Sequence, residues 1–404
     1  MSRVKLQTRA GRRVAAEIAE RGPIPFRDFM DLTIFDPDVG YYARGRAGPG
    51  AECDYLTSPE IHSAFAVLVS LQIAEMWRHL GEPDPFWLVE AGPGSGAFIE
   101  DVLLAGGATT PRFAAALRIA LIEASPTLRR HQEARLAALG ARVRWLDRVA
   151  ESAPALGPGC VFANEVLDAL PFHRVVMTDA GLEEIYTDGD EAGLFDTPGV
   201  LSRPEIAGQI ALGGGRLTLG QAGDVNLAVS GLLSDLARLV DPGYLLVLDY
   251  GEPATELYGA RFPAGTLRCY WRHTRNQDPY LRVGLQDITA HVDLTAVTRV
   301  GESAGFQLIG ATRQARFLER LGMTHLADQV DRTPMGRAHS RAHRAALAML
   351  MDPRELGNLA ALVFGRGVPP APLRGFGGGP VLPISLPTGV LRLHSDPGLL
   401  VRSS

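Results

Sequence analysis

The residues whose types and spacing point most clearly to chemistry lie in one short stretch, Glu90–Gly96, which reads EAGPGSG. Glycines at positions 92, 94 and 96 allow the backbone to turn sharply and to approach a ligand where any side chain would collide. A helix that begins directly after such a turn offers unpaired N–H donors. The stretch is therefore typical of a loop that binds a nucleotide-containing cofactor.

Two cofactor classes fit the spacing of these glycines. Gly92, Gly94 and Ala97 satisfy the G-x-G-x-x-G/A pattern of dinucleotide sites. The stretch Glu90–Gly96 also satisfies E/D-x-G-x-G-x-G, the pattern of S-adenosylmethionine methyltransferases. The carboxylate of Glu90 favours the second class, because it would attract a cationic methionine moiety and repel a pyrophosphate. A glycine-rich turn that binds no ligand is the structural alternative.

A serine hydrolase is excluded by the same stretch. Its G-x-S-x-G motif would need glycines at Pro93 and Ala97, on either side of Gly94-Ser95-Gly96.

Two more carboxylates follow apolar runs further along the chain. Glu123 ends the second run, where a carboxylate can accept hydrogen bonds from both ribose hydroxyls of either cofactor. Asp147 follows the third run, within reach of an adenine amino group. Solvated acids are also common at strand ends. We predict that these two residues bind the cofactor together with Glu90, Gly92, Gly94 and Gly96.

A polar segment follows the fourth apolar run and contains Asn164, Glu165 and Asp168. Ligands of open α/β sheets bind beyond the carboxyl ends of the strands, so we expect these side chains near the transferred group. Glu165 and Asp168 are three positions apart and would share one face if the segment were helical. A helix-capping asparagine with two solvated acids is the alternative.

Short apolar runs that alternate with helical patterns are the elements that would position these residues. The alternation predicts an α/β fold with a parallel sheet covered on both faces. The predicted strands are 86–90, 118–123, 142–146, 160–163 and 244–249, and the predicted helices of this region are 96–104 and 126–139.

The rest of the chain flanks or interrupts this core. Residues 1–85 are predicted to form a helical segment, with a helix that starts at Thr57, carries Glu60 as its capping-box residue and ends at Gly81. The core spans 86–366, with a β-rich insertion at about 172–222 that includes a hairpin of strands 173–178 and 182–187. Residues 367–404, rich in Pro and Gly, are predicted to be an extended or partly disordered tail.

Composition narrows the class of protein further. The formal net charge of −5 argues against general nucleic-acid binding, which needs a basic surface. Three scattered cysteines argue against a disulfide framework or a zinc site, so we expect no bound metal. No apolar run is long enough to span a bilayer. The N-terminus lacks a secretory signal, and Glu17 and Glu20 weigh against a transit peptide. These features predict a cytoplasmic protein of unspecified oligomeric state.

Several separated motifs follow one another along the chain. They are Phe35-Asp36-Pro37 through Gly40-Tyr41-Tyr42, Asp54 to Glu60, the Glu90–Gly96 loop, Glu123-Ala124-Ser125-Pro126, Asn164 to Pro171, Asp249-Tyr250-Gly251, Gly265 to Arg268 and Gln286 to Asp293. Together they resemble the MidA-like methyltransferase family over about residues 10–366. Two departures are Cys53-Asp54-Tyr55, where the family often has Gly-Asp-Phe, and Ala97-Phe98 after the third glycine.

The resemblance implies a class I methyltransferase with a Rossmann-like sheet and S-adenosyl-L-methionine as cofactor. It also implies a protein substrate methylated on arginine, with a respiratory-complex subunit as a candidate. Glu165 and Asp168 would then grip the guanidinium, Asn164 would orient their loop, and His291 would accept a proton or shape the pocket. An NAD-dependent oxidoreductase and a non-catalytic assembly protein that retains the fold are the alternatives.

Overall fold

A computed structural model describes residues 8–44, 54–146, 155–191, 193–381, 384, 386–387 and 389–395. These residues fall into two compact units. The first unit is drawn from Met1–Arg46, Val166–Leu233 and Tyr250–Val300, and the second from Ala47–Glu165, Ser234–Asp249 and Gly301–Ser404. The division into segments 1–85, 86–366 and 367–404 stays a prediction about domain organisation.

Helices and strands alternate along most of the described chain. The helices are α1 (Arg9–Arg21), α2 (Phe26–Met30), α3 (Ser58–Ile61), α4 (Ala64–His79), α5 (Ala97–Thr109), α6 (Pro111–Ala116), α7 (Pro126–Arg135), α8 (Glu205–Leu212), α9 (Ala228–Ala237), α10 (Ala254–Leu257), α11 (Leu294–Ser303), α12 (Gln314–Leu321), α13 (Met323–Arg332) and α14 (Arg337–Met351). The strands are β1 (Ile24–Pro25), β2 (Phe86–Ala91), β3 (Leu117–Ile122), β4 (Val143–Leu146), β5 (Gly157–Asn164), β6 (His173–Thr178), β7 (Gly181–Asp190), β8 (Gly193–Gly199), β9 (Ala222–Val225), β10 (Val240–Asp249), β11 (Gly251–Glu252), β12 (Arg268–Trp271), β13 (Thr274–Asn276), β14 (Asp287–Thr289), β15 (Val292–Asp293), β16 (Gln307–Arg313) and β17 (Ala360–Arg366).

The second unit is built on a seven-stranded sheet in the order β16-β17-β10-β5-β2-β3-β4. Strand β2 pairs in parallel with β3 on one side and with β5 on the other, so Ala91 lies beside both Ile122 and Ala163. The carboxyl ends of these three strands therefore meet at one edge of the sheet. This arrangement confirms the predicted α/β, Rossmann-like fold class.

The sheet is mixed rather than wholly parallel. Strand β17 runs antiparallel between β10 and β16, and no sequence pattern indicated it. Its apolar residues are buried on both faces, so the run lacks the alternation that marks a half-exposed strand. Strand β16 was not predicted either, whereas the five predicted strands are confirmed, with ends shifted by up to four residues.

An aromatic core fixes the helix that follows the glycine loop. The rings of Phe98 in α5 and Phe162 in β5 stack with centroids 4.2 Å apart. Phe65 in α4 packs against both rings, and all three side chains are fully buried. Burying each such ring contributes on the order of 1.5–3 kcal/mol. Packing thus anchors the start of α5 against the sheet.

The first unit contains a five-stranded antiparallel sheet of order β1-β7-β6-β9, with β8 paired to β7. Strands β6 and β7 form the predicted hairpin, in which Thr178 pairs with Gly181 across a two-residue loop. The hairpin is thereby confirmed, whereas the insertion at about 172–222 stays a prediction about domain organisation. Strand β1 of the N-terminal segment joins the same sheet by pairing with β7. The predicted helical segment therefore also supplies a strand.

The single helix predicted from Thr57 to Gly81 is divided into α3 and α4. His62 between them is extended, with φ −155° and ψ 136°, and forms an antiparallel bridge with Leu393. The Thr57 side chain makes no capping hydrogen bond, so the predicted capping box does not form. The helix breaks because His62 pairs with Leu393 of the C-terminal tail, and an extended residue cannot continue a helix.

Two smaller outcomes complete the comparison. Helix α7 ends at Arg135 and a 3₁₀ turn over Ala137–Arg142 replaces the last predicted turn. None of the helices within the described ranges combines the length and apolar character that crossing a bilayer requires.

Candidate functional site

The glycine loop lies between β2 and α5, as predicted. The N–H of Gly92 donates to the carbonyl of Ile122 at 3.1 Å, and the N–H of Gly96 donates to the carbonyl of Pro93 at 2.8 Å. Gly92, Gly94 and Gly96 have φ values of 63°, 53° and 81°. These left-handed conformations are unfavourable for residues with a Cβ atom, which explains the spacing of the glycines.

Glu90 is the carboxylate at the end of β2, and it is 4% exposed. Burial raises its pKa well above the usual value, and the nearby carboxyls of Glu60 and Glu123 raise it further. Its Oε2 atom is buried and has no hydrogen-bond partner among the described residues. Such an atom is costly to bury unless a ligand supplies a donor.

Glu123 lies beyond the end of the neighbouring strand β3 and is fixed by two donors. Its Oε1 accepts from the N–H of Ser125 at 2.8 Å, and its Oε2 accepts from Nε2 of Gln132 at 2.9 Å. Burial raises the pKa of Glu123, whereas these two hydrogen bonds lower it. The side chain is thus held in one orientation at the sheet edge.

Gln132 is a site residue that the sequence did not indicate. Its Nε2 donates to Glu123 and also to the carbonyl of Gly94 at 2.9 Å, while its Oε1 accepts from the indole of Trp145 at 3.0 Å. The amide therefore ties the second carboxylate to the glycine loop. A glutamine in the middle of α7 carries no local signal for this role.

Glu60 is a second residue whose role was missed. The capping-box pattern placed it in the first turn of a helix, but its Oε1 instead accepts from the N–H of Ser95 in the glycine loop at 3.2 Å. A Cβ added to Gly94 would lie 3.4 Å from the same oxygen. The carboxylate thus lies directly against the loop.

Asn164 is the last residue of β5 and Glu165 follows it, at the same edge of the sheet. Oε1 of Glu165 accepts from the N–H of Ser58 at 3.1 Å and from Nδ2 of Asn164 at 3.0 Å. Glu165 has φ 53°, a strained conformation for a residue with a side chain, and the segment after it is a turn rather than a helix. The predicted helical face shared with Asp168 therefore does not exist.

The pKa of Glu165 is raised to about 8. Burial is the main cause, and the carboxyls of Asp249 and Glu60 add to it, while the hydrogen bonds from Ser58 and Asn164 lower it. A carboxyl with this pKa exchanges a proton close to neutral pH, as a general acid or base must.

Asp168 belongs to the first unit and lies in a braced turn. Nδ2 of Asn226 donates to the carbonyls of Leu167 and Leu170, both at 3.1 Å. The carbonyl of Asp168 accepts from the N–H of Ala290 at 3.0 Å, so the backbone beside His291 is joined to this turn. Two predicted residues, distant in sequence, are thereby connected within one unit.

His291 lies among aromatic rings of the first unit. Its ring stacks on Tyr250 with centroids 6.1 Å apart and meets Phe262 edge-on at 5.5 Å. The backbone N–H of His291 donates to Oγ1 of Thr266 at 3.0 Å. Asp224, which the sequence did not single out, accepts from the N–H and Oγ1 of Thr266 and so holds this loop.

The acids that flank His291 accept hydrogen bonds from other groups of the first unit. Oδ1 of Asp293 accepts from the N–H groups of Thr295 and Ala296 at the start of α11, and Oδ1 of Asp287 accepts from the Tyr42 hydroxyl at 3.2 Å. The part of the chain that the structure describes holds no group of three His, Cys, Asp or Glu side chains that could bind a metal. Asp147, predicted to bind the cofactor, and Cys53 lie outside the described residues.

Comparison with known proteins identifies the family. Residues 68–312 match the family described as "Putative S-adenosyl-L-methionine-dependent methyltransferase". The chain belongs to this family. It is an S-adenosylmethionine-dependent methyltransferase, which confirms the predicted family, enzyme class and cofactor.

Curated relatives and solved structures agree with this assignment. The "Protein arginine methyltransferase NDUFAF7 homolog, mitochondrial" of Drosophila melanogaster is 29% identical over 374 residues, covering 86% of this chain and 82% of the relative. The Homo sapiens "Protein arginine methyltransferase NDUFAF7, mitochondrial" is 25% identical over 377 residues, covering 86% and 80%. A crystal structure from Burkholderia thailandensis, bound to S-adenosyl-homocysteine, matches with TM-score 0.80 and 29% identity, covering 92% of this chain and 95% of that one.

The prediction of a cytoplasmic protein is wrong. The Drosophila melanogaster, Danio rerio and Homo sapiens relatives are all named mitochondrial, which contradicts it. The prediction failed because it rested on the lack of secretory and membrane signals, and such a lack does not separate one internal compartment from another.

The described residues fit S-adenosylmethionine, whose methionine end carries an ammonium group and a sulfonium. Glu60 Oε2, Glu90 Oε2 and Asn164 Oδ1 are buried acceptors without a hydrogen-bond partner among the described residues. A cationic ligand with N–H donors satisfies such atoms, whereas a pyrophosphate would be repelled by the carboxylates. The physical chemistry of the loop thus agrees with the family and sets aside the NAD-dependent alternative.

Proposed function

We propose that the enzyme methylates an arginine side chain of a protein substrate and that Glu165 acts at the acceptor. The observation that carries the proposal is the position of Glu165, at the end of the strand next to the one that ends in the glycine loop. The names of the curated relatives support an arginine acceptor. The resemblance stated above adds a respiratory-complex subunit as the candidate substrate.

The cofactor is proposed to bind at the glycine loop. Gly92, Gly94 and Gly96 permit close approach of the backbone, Glu90 faces the cationic end, and Glu123 accepts hydrogen bonds from the ribose. S-adenosylmethionine supplies the methyl group when bound. Asp147 remains a predicted contact of the adenine.

An arginine acceptor presents a defined electrostatic problem. The guanidinium pKa exceeds about 12, so the neutral form is about five or more decades less abundant than the cation at pH 7. A carboxylate that accepts hydrogen bonds from the guanidinium can aim one nitrogen and lower the barrier by positioning and charge. Glu165 has this role in the proposal, and Asn164 orients it.

A proton must also leave the acceptor. Transfer would form a bond between the guanidinium nitrogen and the methyl carbon and break the bond between that carbon and sulfur, so that S-adenosylhomocysteine leaves. The nitrogen also gives up one proton, and the carboxylate of Glu165 is proposed to accept it. With a pKa of about 8, Glu165 is ionised in a minor fraction of molecules at pH 7 and in half of them at pH 8, and this ionised form can accept the proton. Asp168 and His291 remain predicted residues of the acceptor site.

The test compares the wild-type protein with Glu165→Gln. Both are incubated with S-adenosylmethionine carrying a labelled methyl group and with a mitochondrial protein extract, and labelled proteins are analysed for methylarginine. We expect labelled arginine with the wild type and at least a 100-fold lower rate with the variant. Calorimetry should show that the variant still binds the cofactor.

Glu133→Gln is the matched control, because Glu133 is an exposed residue of α7. It should bind and transfer like the wild type. Label that appears on lysine or on a small molecule would refute the arginine assignment. Loss of cofactor binding in Glu165→Gln would instead show that the role given to the acidic loop is incorrect.

A further inference from the structure

The strongest feature outside the predicted site is the carboxylate of Glu60. The residue is 6% exposed and belongs to α3, 35 positions before Ser95 of the glycine loop. Its Oε1 accepts from the N–H of Ser95, whereas its Oε2 is buried without a hydrogen-bond partner among the described residues. One half of the carboxylate is therefore committed to the loop, and the other half is available to a ligand.

The local helix does not account for this side chain. The N–H of Glu60 donates to the carbonyl of Thr57 at 3.0 Å, and the side chain does not fold back to cap α3. A buried carboxylate oxygen without a donor destabilises the folded protein, so its persistence indicates a role that the free protein does not fulfil.

Residues 389–395, here called the C-terminal strap, hold the backbone of this segment. Oγ of Ser395 donates to the carbonyl of Glu60 at 2.6 Å, and the N–H of His394 donates to the carbonyl of Ile61 at 3.1 Å. The side chains of Arg392 and His394 both pair with Asp101 in α5, the helix that begins at the glycine loop. The strap thus fixes Glu60 relative to that loop.

We infer that Glu60 is a further cofactor-binding residue, whose Oε2 accepts a hydrogen bond from the ammonium group at the methionine end of S-adenosylmethionine. The inference rests on the proposed assignment of the glycine loop as the cofactor site. The sulfonium has no proton to donate and the adenosine is uncharged, so the ammonium is the cationic donor of the ligand. With three N–H groups it can serve both Glu60 and Glu90.

The test uses three ligands that share the adenosyl group. S-adenosylmethionine and S-adenosylhomocysteine both carry the ammonium, whereas 5′-methylthioadenosine lacks the whole amino-acid end. In the full chain, Glu60→Gln keeps an acceptor for the N–H of Ser95 but loses the charge. We expect the dissociation constants of the first two ligands, measured by calorimetry, to rise about 10- to 100-fold. That of 5′-methylthioadenosine should change less than about twofold.

Glu133→Gln is again the control and should leave all three affinities unchanged. Equal weakening of all three ligands would overturn the inference, because it would mean that Glu60 only shapes the loop. No weakening at all would overturn it as well. If Glu60→Gln does not fold, Glu60→Asp allows the same comparison, because it retains the charge on a shorter side chain. It should lower the affinity for the two ligands that carry the ammonium group by a smaller factor.

The result is separable from the proposed arginine activity. Binding is measured without an acceptor, so a wild-type protein that binds the cofactor but methylates no arginine would refute only the proposed function. A wild-type protein whose affinities are unaffected by Glu60→Gln would refute only the present inference.

Discussion

Replacing Glu165 by glutamine should change how the stability of the protein depends on pH. The pKa of Glu165 is raised from 4.5 to about 8, chiefly by burial. Between these two values the folded protein holds a proton at this carboxyl that the unfolded chain has lost. Because the folded state binds more protons, its free energy of unfolding falls as pH rises through this window, and the loss is complete above pH 8.

The size of the effect follows from the same two values. The pKa values of Glu165 in the unfolded and folded states differ by about 3.5, and a difference of one corresponds to about 1.4 kcal/mol. The free energy of unfolding can therefore fall by at most about 5 kcal/mol. Glu165 is partly exposed, and solvent screening reduces the effect, so we expect about 1–3 kcal/mol. Glutamine can still accept from the N–H of Ser58 but has no proton to lose. Glu165→Gln should therefore match the wild type near pH 5 and exceed its stability by this amount at pH 8.

Urea denaturation at pH 5, 6, 7 and 8 measures the difference directly. The wild type and Glu165→Gln are compared with Glu133→Gln, whose curve should follow the wild type at every pH. A gap that does not widen with pH, or a variant that is less stable at pH 8, would contradict the burial argument. Because the same substitution should abolish most of the methyl transfer, the result would also show that this carboxyl is kept at a cost in stability.

Three other perturbations test separate parts of the structure. Gly94→Ala places a Cβ atom 3.4 Å from Glu60 Oε1 on a residue whose backbone is left-handed. It should weaken cofactor binding about 10-fold, as measured by calorimetry. Unchanged affinity would show that close approach at this position is unimportant. Asp224→Asn removes the charge of the carboxylate that accepts hydrogen bonds from two N–H groups of the Thr266 loop. It should lower the free energy of unfolding by about 1–3 kcal/mol, as measured by urea titration. A change below about 0.5 kcal/mol would contradict the conclusion that Asp224 holds this loop. Ser395→Ala removes the hydrogen bond between the strap and the Glu60 carbonyl. It should weaken cofactor binding a few-fold, with little change in the circular dichroism spectrum. Affinity equal to that of the wild type would mean that the strap does not position Glu60.

The core of the fold could be predicted because its signals are local. An apolar run, a glycine turn and a helical pattern lie next to each other in Phe86–Thr109, and the parallel pairing of β2 with β3 then places Glu90 and Glu123 at one edge. The glycine spacing likewise reflects conformations that depend on single residues. Such features need no knowledge of distant parts of the chain.

The remaining site residues depend on contacts that are distant in sequence. Glu60 satisfies a capping-box pattern, yet the helix breaks at His62 because His62 pairs with the strap. The carboxylate of Glu60 instead accepts a hydrogen bond from the N–H of Ser95. Gln132 bridges two elements without any local motif. The left-handed backbone conformation of Glu165 could not be predicted from the sequence either. Sequence patterns indicate the conformations that residues prefer, and this conformation is strained.

The strap also affects the order in which the enzyme acquires its affinity for the cofactor during synthesis. The hydrogen bond between Ser395 and Glu60 joins residues 335 positions apart, so the ribosome makes the glycine motif long before it makes the segment that holds Glu60 in place. A nascent or prematurely terminated chain that ends before residue 389 would carry the whole motif without its brace. We expect such chains to compete poorly for the cellular pool of methyl donor, which leaves that pool to finished molecules.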